Sequence, residues 1–306
     1  MDLDVRRMRL LREVAERGTI TAAAEALAYT PSAVSQQISA LEKSVGMALL
    51  ERQGRNVVLT DAGRVLVAHT DDVMASLERA AVALAKTGTE VAGKVRIGVF
   101  ESAIAPMAVP VVSAIAARHP LVEVSLVESD DVVDFRALRL GELDISLGQQ
   151  YSHAPFEIRD DVECHPLLTE RMFLAVPEAR WRPGADPTDL ADLPWIVANH
   201  VPCGRAVVGY CRAAGFEPEV RYWIDDFTAM LQIVAAGLGA SVLPHLAVRR
   251  PPPGVHTIPL DPSQWSRSLF AATRPGSAGQ PAVSAAVEAL RERARDLEVE
   301  LDESMA

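Results

Sequence analysis

The chain has 306 residues, room for about two domains. With 49% hydrophobic and 23% charged residues it is excluded from the disordered class, and a net charge of -11 excludes a general basic surface for nucleic acid. Three cysteines, Cys164, Cys203 and Cys211, with no C-x-x-C spacing, argue against a disulfide scaffold or a thiolate zinc site and suit a reducing compartment.

The first segment reads as three short helices. Val5, Met8, Leu11 and Val14 recur every three residues, one face of a helix that Gly18 stops. Thr21 is positioned to cap a second helix, Ala22 to Ala28. Thr30 followed by Pro31 opens a third, because threonine accepts an amide hydrogen bond at the cap and proline has no amide hydrogen to leave unpaired. That helix runs from Pro31 to Val45 and ends at Gly46. Val34, Ile38, Leu41 and Val45 face inward; Ser32, Ser35, Gln36 and Ser39 face outward. Leu49–Arg52 and Val57–Leu59 then read as a hairpin around Gln53-Gly54-Arg55-Asn56.

A long helix starts at Thr60-Asp61-Ala62-Gly63 and runs to about Lys86. Its apolar stripe, Leu66, Thr70, Val73, Leu77, Ala80 and Leu84, alternates four and three apart. Such a stripe either packs on its own domain or forms a seam between two copies. Its narrowness, with no neighbouring segment free to cover it, favours the seam, with Leu66, Val73, Leu77 and Leu84 as the contact residues. Thr87-Gly88-Thr89 breaks the helix.

From Lys94 the texture changes to alternating strands and helices. Strands are expected at Val95–Val99, Val122–Val127, Ile145–Gly148, Met172–Val176, Trp195–Val197 and Ser241–Leu243. Helices are expected at Ala103–Arg118, Arg136–Leu140, Ala206–Ala214, Thr228–Ala236 and Ala282–Leu297. This alternation predicts α/β layers with mostly parallel strands. The segment Arg249 to Gly254, with three prolines, reads as a loop, and the acidic C-terminal residues read as a solvated face. The N-terminus carries no signal-peptide core, and the uncharged run Ser102 to Ala117 contains Pro106 and Pro110 and is short for a bilayer. A cytoplasmic chain without membrane contact is expected.

Two short helices, a tight turn and a small, polar outer helix face suit a helix-turn-helix. Small side chains let the backbone approach base edges, and Ser and Gln can donate and accept there. Arg52 and Arg55 flank the hairpin tip, within reach of phosphates or the minor groove. Residues 1–59 hold eight basic and seven acidic side chains against 22 and 34 in the remainder, so the acid lies mostly outside this segment. No G-x-S-x-G, P-loop, G-x-G-x-x-G after a strand or paired metal-binding histidines point to an enzyme; neither a cofactor nor a metal is expected.

The run Ala22-Ala23-Ala24-Glu25-Ala26-Leu27, then Thr30 to Ile38, Leu41-Glu42-Lys43, Gly46 and Leu49-Leu50-Glu51-Arg52 resembles the winged helix-turn-helix of LysR-type transcriptional regulators. Leu59-Thr60-Asp61-Ala62-Gly63 resembles the start of that family's linker helix. Gly93 to Gly98, Gly141-Glu142-Leu143-Asp144, Ala235 to Gly239 and Leu243-Pro244 follow in the family's order. The resemblance implies an α/β effector domain of two subdomains, like type 2 periplasmic binding proteins, after an all-α winged helix-turn-helix and a long linker helix. The implied boundaries are 1–59, 60–89 and 93–300, with subdomain I at 93–164 and 268–300 and subdomain II at 165–267. It implies a regulator that binds promoter DNA as a homodimer, often paired into tetramers, with RNA polymerase as a further partner and a small-molecule effector in the cleft.

On this resemblance the DNA face comprises Thr21, Thr30, Pro31, Ser32, Ser35, Gln36, Arg52 and Arg55. Two departures stand out. The family often has Gln-Pro in the turn and Arg after the helix serine, where this chain has Pro31-Ser32 and Gln36; Leu50 replaces the usual wing phenylalanine. Matching effector positions are Glu101 and Ser102, Ser129, Gln149 and Gln150, Asn199 and His200, and Phe227 and Thr228. Glu101 would repel a carboxylate, so it is expected either to point to solvent or to meet an amine or hydroxyls. Peroxide-sensing members keep a cysteine pair in a similar region at a slightly longer spacing. Thiol sensing by Cys203 and Cys211, with His200 and Arg205 lowering a thiol pKa, is therefore an alternative. A small-molecule binding protein without DNA function is another, and it leaves the first 60 residues unexplained.

Overall fold

The computed structural model describes residues 2–54, 56–85, 90–129, 133–157, 162–183, 187–199 and 201–303. The chain divides into two compact units, Met1–Thr87 and Gly88–Ala306.

The first unit contains helices α1 (Val5–Arg17), α2 (Ile20–Ala26) and α3 (Pro31–Val45), strands β1 (Leu50–Gln53) and β2 (Asn56–Leu59), and helix α4 (Asp61–Ala85). Local capping sets each helix end. Asp4 accepts from the amides of Arg6 and Arg7, and Gly18 closes α1 at φ 71°. The second helix begins earlier than expected. Its cap is Thr19, whose hydroxyl accepts from the Ala22 amide at 3.1 Å, while Thr21 lies exposed inside the helix. Thr30 caps α3 through the Ala33 amide at 3.2 Å, and Gly46 ends it at φ 74°. Met8, Leu11, Val14, Val34, Ile38 and Leu41 form the buried core, whereas Val5 is exposed.

Glu42 joins α3 to the hairpin, its carboxylate accepting from the Leu49 and Leu50 amides at 2.9 and 3.3 Å. The antiparallel strands extend to Gln53 and Asn56, one residue further on each side than expected. The Val57 amide donates to the Gly18 carbonyl at 2.9 Å, fixing the hairpin to α1. Helix α4 starts where Thr60 receives the Gly63 amide at 3.0 Å. A Cβ on Gly63 would lie 2.1 Å from the Leu49 carbonyl oxygen, so this close crossing requires glycine.

The second unit contains β3 (Gly93–Val99), α5 (Glu101–Ala103), α6 (Val109–Arg118), β4 (Val122–Glu128), α7 (Phe135–Leu140), β5 (Ile145–Tyr151), β6 (Glu163–Pro177), β7 (Pro194–Val197), α8 (Val201–Ala213), β8 (Glu219–Trp223), α9 (Phe227–Ala235), β9 (Ser241–Pro244), α10 (His245–Val248), β10 (Val255–Pro259), β11 (Ser266–Thr273) and α11 (Pro281–Glu303). The single helix expected from Ala103 to Arg118 is interrupted by a wider π turn, Ile104–Ala108. Pro106 sits inside that turn, where a proline lacks the ladder amide.

The sheet is mixed rather than mostly parallel. Strand β3 pairs parallel with β4 and β5, but β11 runs antiparallel to β5 and β6. Strand β6 continues past this sheet to pair antiparallel with β9 and β10. Strands β7 and β8 pair in parallel beside them. The reversal arises because β6 and β11 are the long strands that carry the chain between subdomains. The expected boundaries near 164 and 268 therefore fall inside strands. Two cores result, one around Ile97, Met107 and Leu290 and one around Met172, Trp195 and Val242. No helix among the described residues is long and apolar enough to cross a membrane.

Candidate DNA-binding and effector sites

Helix α3 presents Pro31, Ser32 and Gln36 as exposed residues, with Ser35 partly covered. Thr30 is exposed, but its hydroxyl is engaged by the Ala33 amide and by Ser32 Oγ at 3.0 Å. Its position serves the helix start as well as the outer face. Arg52 is exposed on β1, paired in register with Val57. Arg55 lies outside the described residues.

The stripe on α4 is divided. Leu66 and Val73 pack against the core of the first unit, Thr70 is buried, and Arg12 of α1 pairs with Asp71 at 3.3 Å. Helix α1 thus supplies the covering segment that the sequence did not reveal. Leu77 and Leu84 remain 52% and 72% exposed.

Within the second unit a cavity of about 240 Å³ opens between the subdomains. The ends of β3, β5 and β7 and the starts of α5, α8 and α9 converge on it. Gly204 makes this approach possible, since a Cβ there would lie 2.4 Å from the Ala198 carbonyl oxygen. At the base lies Arg267, fully buried on β11. Its Nε donates to Glu170 at 2.7 Å, Nη1 to Gln149 at 2.9 Å and Nη2 to Ser102 at 3.0 Å. The Phe100 ring centroid lies 5.2 Å from the guanidinium carbon. Burial works against the Arg267 cation, but the adjacent Glu170 and Tyr151 carry its pKa upward, so the group stays charged. Glu170 also accepts from the Leu246 amide at 2.6 Å.

Four expected effector residues line this cavity: Glu101, Ser102, Gln149 and Phe227. Glu101 does not turn out to solvent. It is half-buried, and its carboxylate accepts from the Phe227 amide at 3.2 Å, joining α5 to the start of α9 across the cleft. Burial, with Asp226 and Glu128 nearby, raises its pKa despite the Phe227 bond.

Ser129, Gln150, Asn199 and Thr228 are not on the wall. The Ser129 amide donates to the Val99 carbonyl. Gln150 points to the other strand face and donates to the Phe156 carbonyl at 2.9 Å. Asn199 holds Asp225 through its backbone and side-chain nitrogens at 2.7 and 2.9 Å. Thr228 is exposed, and His200 lies outside the described residues.

Two segments of the chain each match a family model. Residues 5–64 match "Bacterial regulatory helix-turn-helix protein, lysR family", and residues 88–295 match "LysR substrate binding domain". The chain belongs to the LysR family of bacterial transcriptional regulators. Members of this family are DNA-binding regulators with an effector-binding domain, not enzymes, and so is this protein. A protein of Synechococcus elongatus named "Probable HTH-type transcriptional regulator LrrA" is 30% identical over 310 residues, covering 96% of this chain and 99% of the relative. The fold resembles full-length CbnR in complex with its target DNA, at TM-score 0.53 and 22% identity, covering 95% and 100% of the two chains. It also resembles full-length OxyR of Pseudomonas aeruginosa, at TM-score 0.67 and 20% identity, covering 96% and 95%.

Sequence reasoning about this LysR-family regulator missed Arg267, Tyr151, Asp225 and Asp226 on the cavity wall. Two of these had a signal. Side chains two apart on a strand share a face, so Gln149 implies Tyr151 and excludes Gln150. Asp226 precedes an apolar helix and caps it through the Ala229 amide at 2.8 Å. Arg267 had none, because β11 was not recognised.

The cysteines behave as core residues of this regulator. Burial pushes the Cys203 thiol up even though Tyr151 and Arg267 favour its ionised form; Arg267, rather than the expected Arg205, is the nearby cation. Cys211 is buried and its thiol is pushed up to about 12 by burial. Both shifts oppose the thiolate that peroxide chemistry requires.

Proposed function

We propose that this regulator changes its promoter complex when a small ligand enters the cavity between its effector subdomains. The observation that carries this reading is the Glu101–Phe227 bond spanning the cleft beside the buried Arg267 cluster. A ligand shifts conformation only through different affinity for two states. A bond that must break or tighten as the subdomains move supplies such a difference. The DNA contacts are assigned to α3 through Ser32, Ser35 and Gln36, with Arg52 at the phosphates. Two copies associate through the open half of α4, at Leu77 and Leu84, and dimers pair into tetramers. Action on promoters places the protein in the cytoplasm, with RNA polymerase as a further partner.

The test is an operator footprint titrated with metabolites in the parent and in Ala198→Trp, whose ring fills the cavity. A ligand-dependent change in the footprint that Ala198→Trp abolishes supports the reading. An unchanged ligand response in that variant overturns it.

A further inference from the structure

The charge balance of the cavity selects among ligands. Anion-binding features are present, but the protein already occupies them. Arg267 gives its donors to Glu170, Gln149 and Ser102, and Glu170 neutralises its charge inside a fully buried pair. The start of α9 would suit a carboxylate. Its Phe227 amide is taken by Glu101 and its Ala229 amide by Asp226. What faces the open volume among the described residues is therefore acidic: Glu101, Glu128, Asp225 and Asp226 line it beside Arg267, and since Asn199 already holds Asp225 and Asp226 caps α9, Glu101 and Glu128 are the carboxylates left to meet a ligand. An entering carboxylate would meet like charges with no uncommitted cation among the described lining residues to offset them. An ammonium group would meet carboxylates and the Phe227 ring, whose face attracts cations.

We propose that the cleft binds a small ligand through a protonated amine, held by Glu101 and Glu128 at the mouth with Asp225 and Asp226 beside them. This rests on the reading of the cleft as the effector site. Binding is then an exchange of counter-charge. The ammonium draws on the Glu101 carboxylate that also holds the Phe227 amide, so occupancy acts on the bond joining the two subdomains.

The test uses the full chain and titration calorimetry with matched probes: putrescine, 1,4-butanediol and succinate, then longer diamines, diols and diacids. Amines should bind at least roughly tenfold tighter than the matched diols, and diacids weaker still. Glu128→Gln and Glu101→Gln should each weaken amine binding several-fold and reduce its salt dependence, with thermal unfolding confirming that both variants are folded. Diacids binding tighter than diamines, and lost in Ala198→Trp, would overturn the amine preference while keeping the cleft. Amines binding Ala198→Trp as well as the parent would remove the cleft itself. A series in which no amine binds overturns the proposal.

Discussion

The two units of this regulator build their functional surfaces over different distances along the chain. In the DNA-binding unit, the hydrogen bonds that fix α3 and its approach are local: Thr19 to Ala22 and Thr30 to Ala33 each span three residues. In the effector unit, the bonds that define the cavity join Ser102 to Arg267 across 165 residues and Glu101 to Phe227 across 126. A surface made of local caps is a property of short segments. A cavity made of distant contacts exists only once the whole domain has folded, and a fault at one of its members reaches the entire site.

The largest effect that would sharpen this contrast is expected at Arg267. Arg267→Met leaves Glu170 buried without its cation and should cost the second unit about 3–5 kcal/mol in chemical unfolding. The double variant with Glu170→Met should recover much of that loss, since replacing a whole buried pair with apolar groups is often neutral. A single variant as stable as the parent would show that the cavity base tolerates local change as α3 does.

Helix α4 offers a comparison within one element. Leu66→Ala should destabilise the first unit by about 1–3 kcal/mol, because Leu66 packs on its core. Leu77→Glu should leave the unit's own stability nearly unchanged, because Leu77 is exposed in the single chain, yet yield a smaller species by sedimentation and weaken operator binding. Equal effects of the two substitutions would mean that the stripe is not divided between core and seam.

On α3, removing the Ser35 or Gln36 side chain should cost about 1–3 kcal/mol of binding to the specific operator and little on unrelated DNA. Arg52→Ala should weaken both and lower the salt slope by about one unit. Equal loss on both DNAs for Gln36→Ala would move that residue from base edge to backbone. Thr30→Ala should cost about 1 kcal/mol of stability through the lost cap.

The smallest effect is a pH dependence. Glu101 has its pKa raised, mainly by burial, so the folded state holds its proton more readily than the unfolded chain. Its contribution is fully present below the ordinary glutamate value and is lost as pH rises through the raised one. Glu101→Gln should therefore be slightly more stable than the parent at neutral pH, by less than about 1 kcal/mol given its partial exposure, with the difference vanishing in acid. A variant less stable at neutral pH would mean that the Phe227 bond outweighs burial.

Sequence alone determined what nearest neighbours control. It determined the caps at Thr30 and Thr60, the stops at Gly18 and Gly46, the polar face of α3 and the order of motifs that carries the family. These follow from backbone groups paired within one helical turn. Even here tertiary packing moved one feature: whether Leu66 or Leu77 was free depended on α1, which the stripe itself could not report. The cavity was legible only in part. Glu101, Ser102, Gln149 and Phe227 sit at strand or helix ends where side chains can converge, but Arg267 lies in a strand whose polar start hides its burial. Arginine in a sequence reads as surface, because burying its charge is costly unless a partner neutralises it. Glu170 is that partner, 97 residues away, and only the folded sheet brings it there.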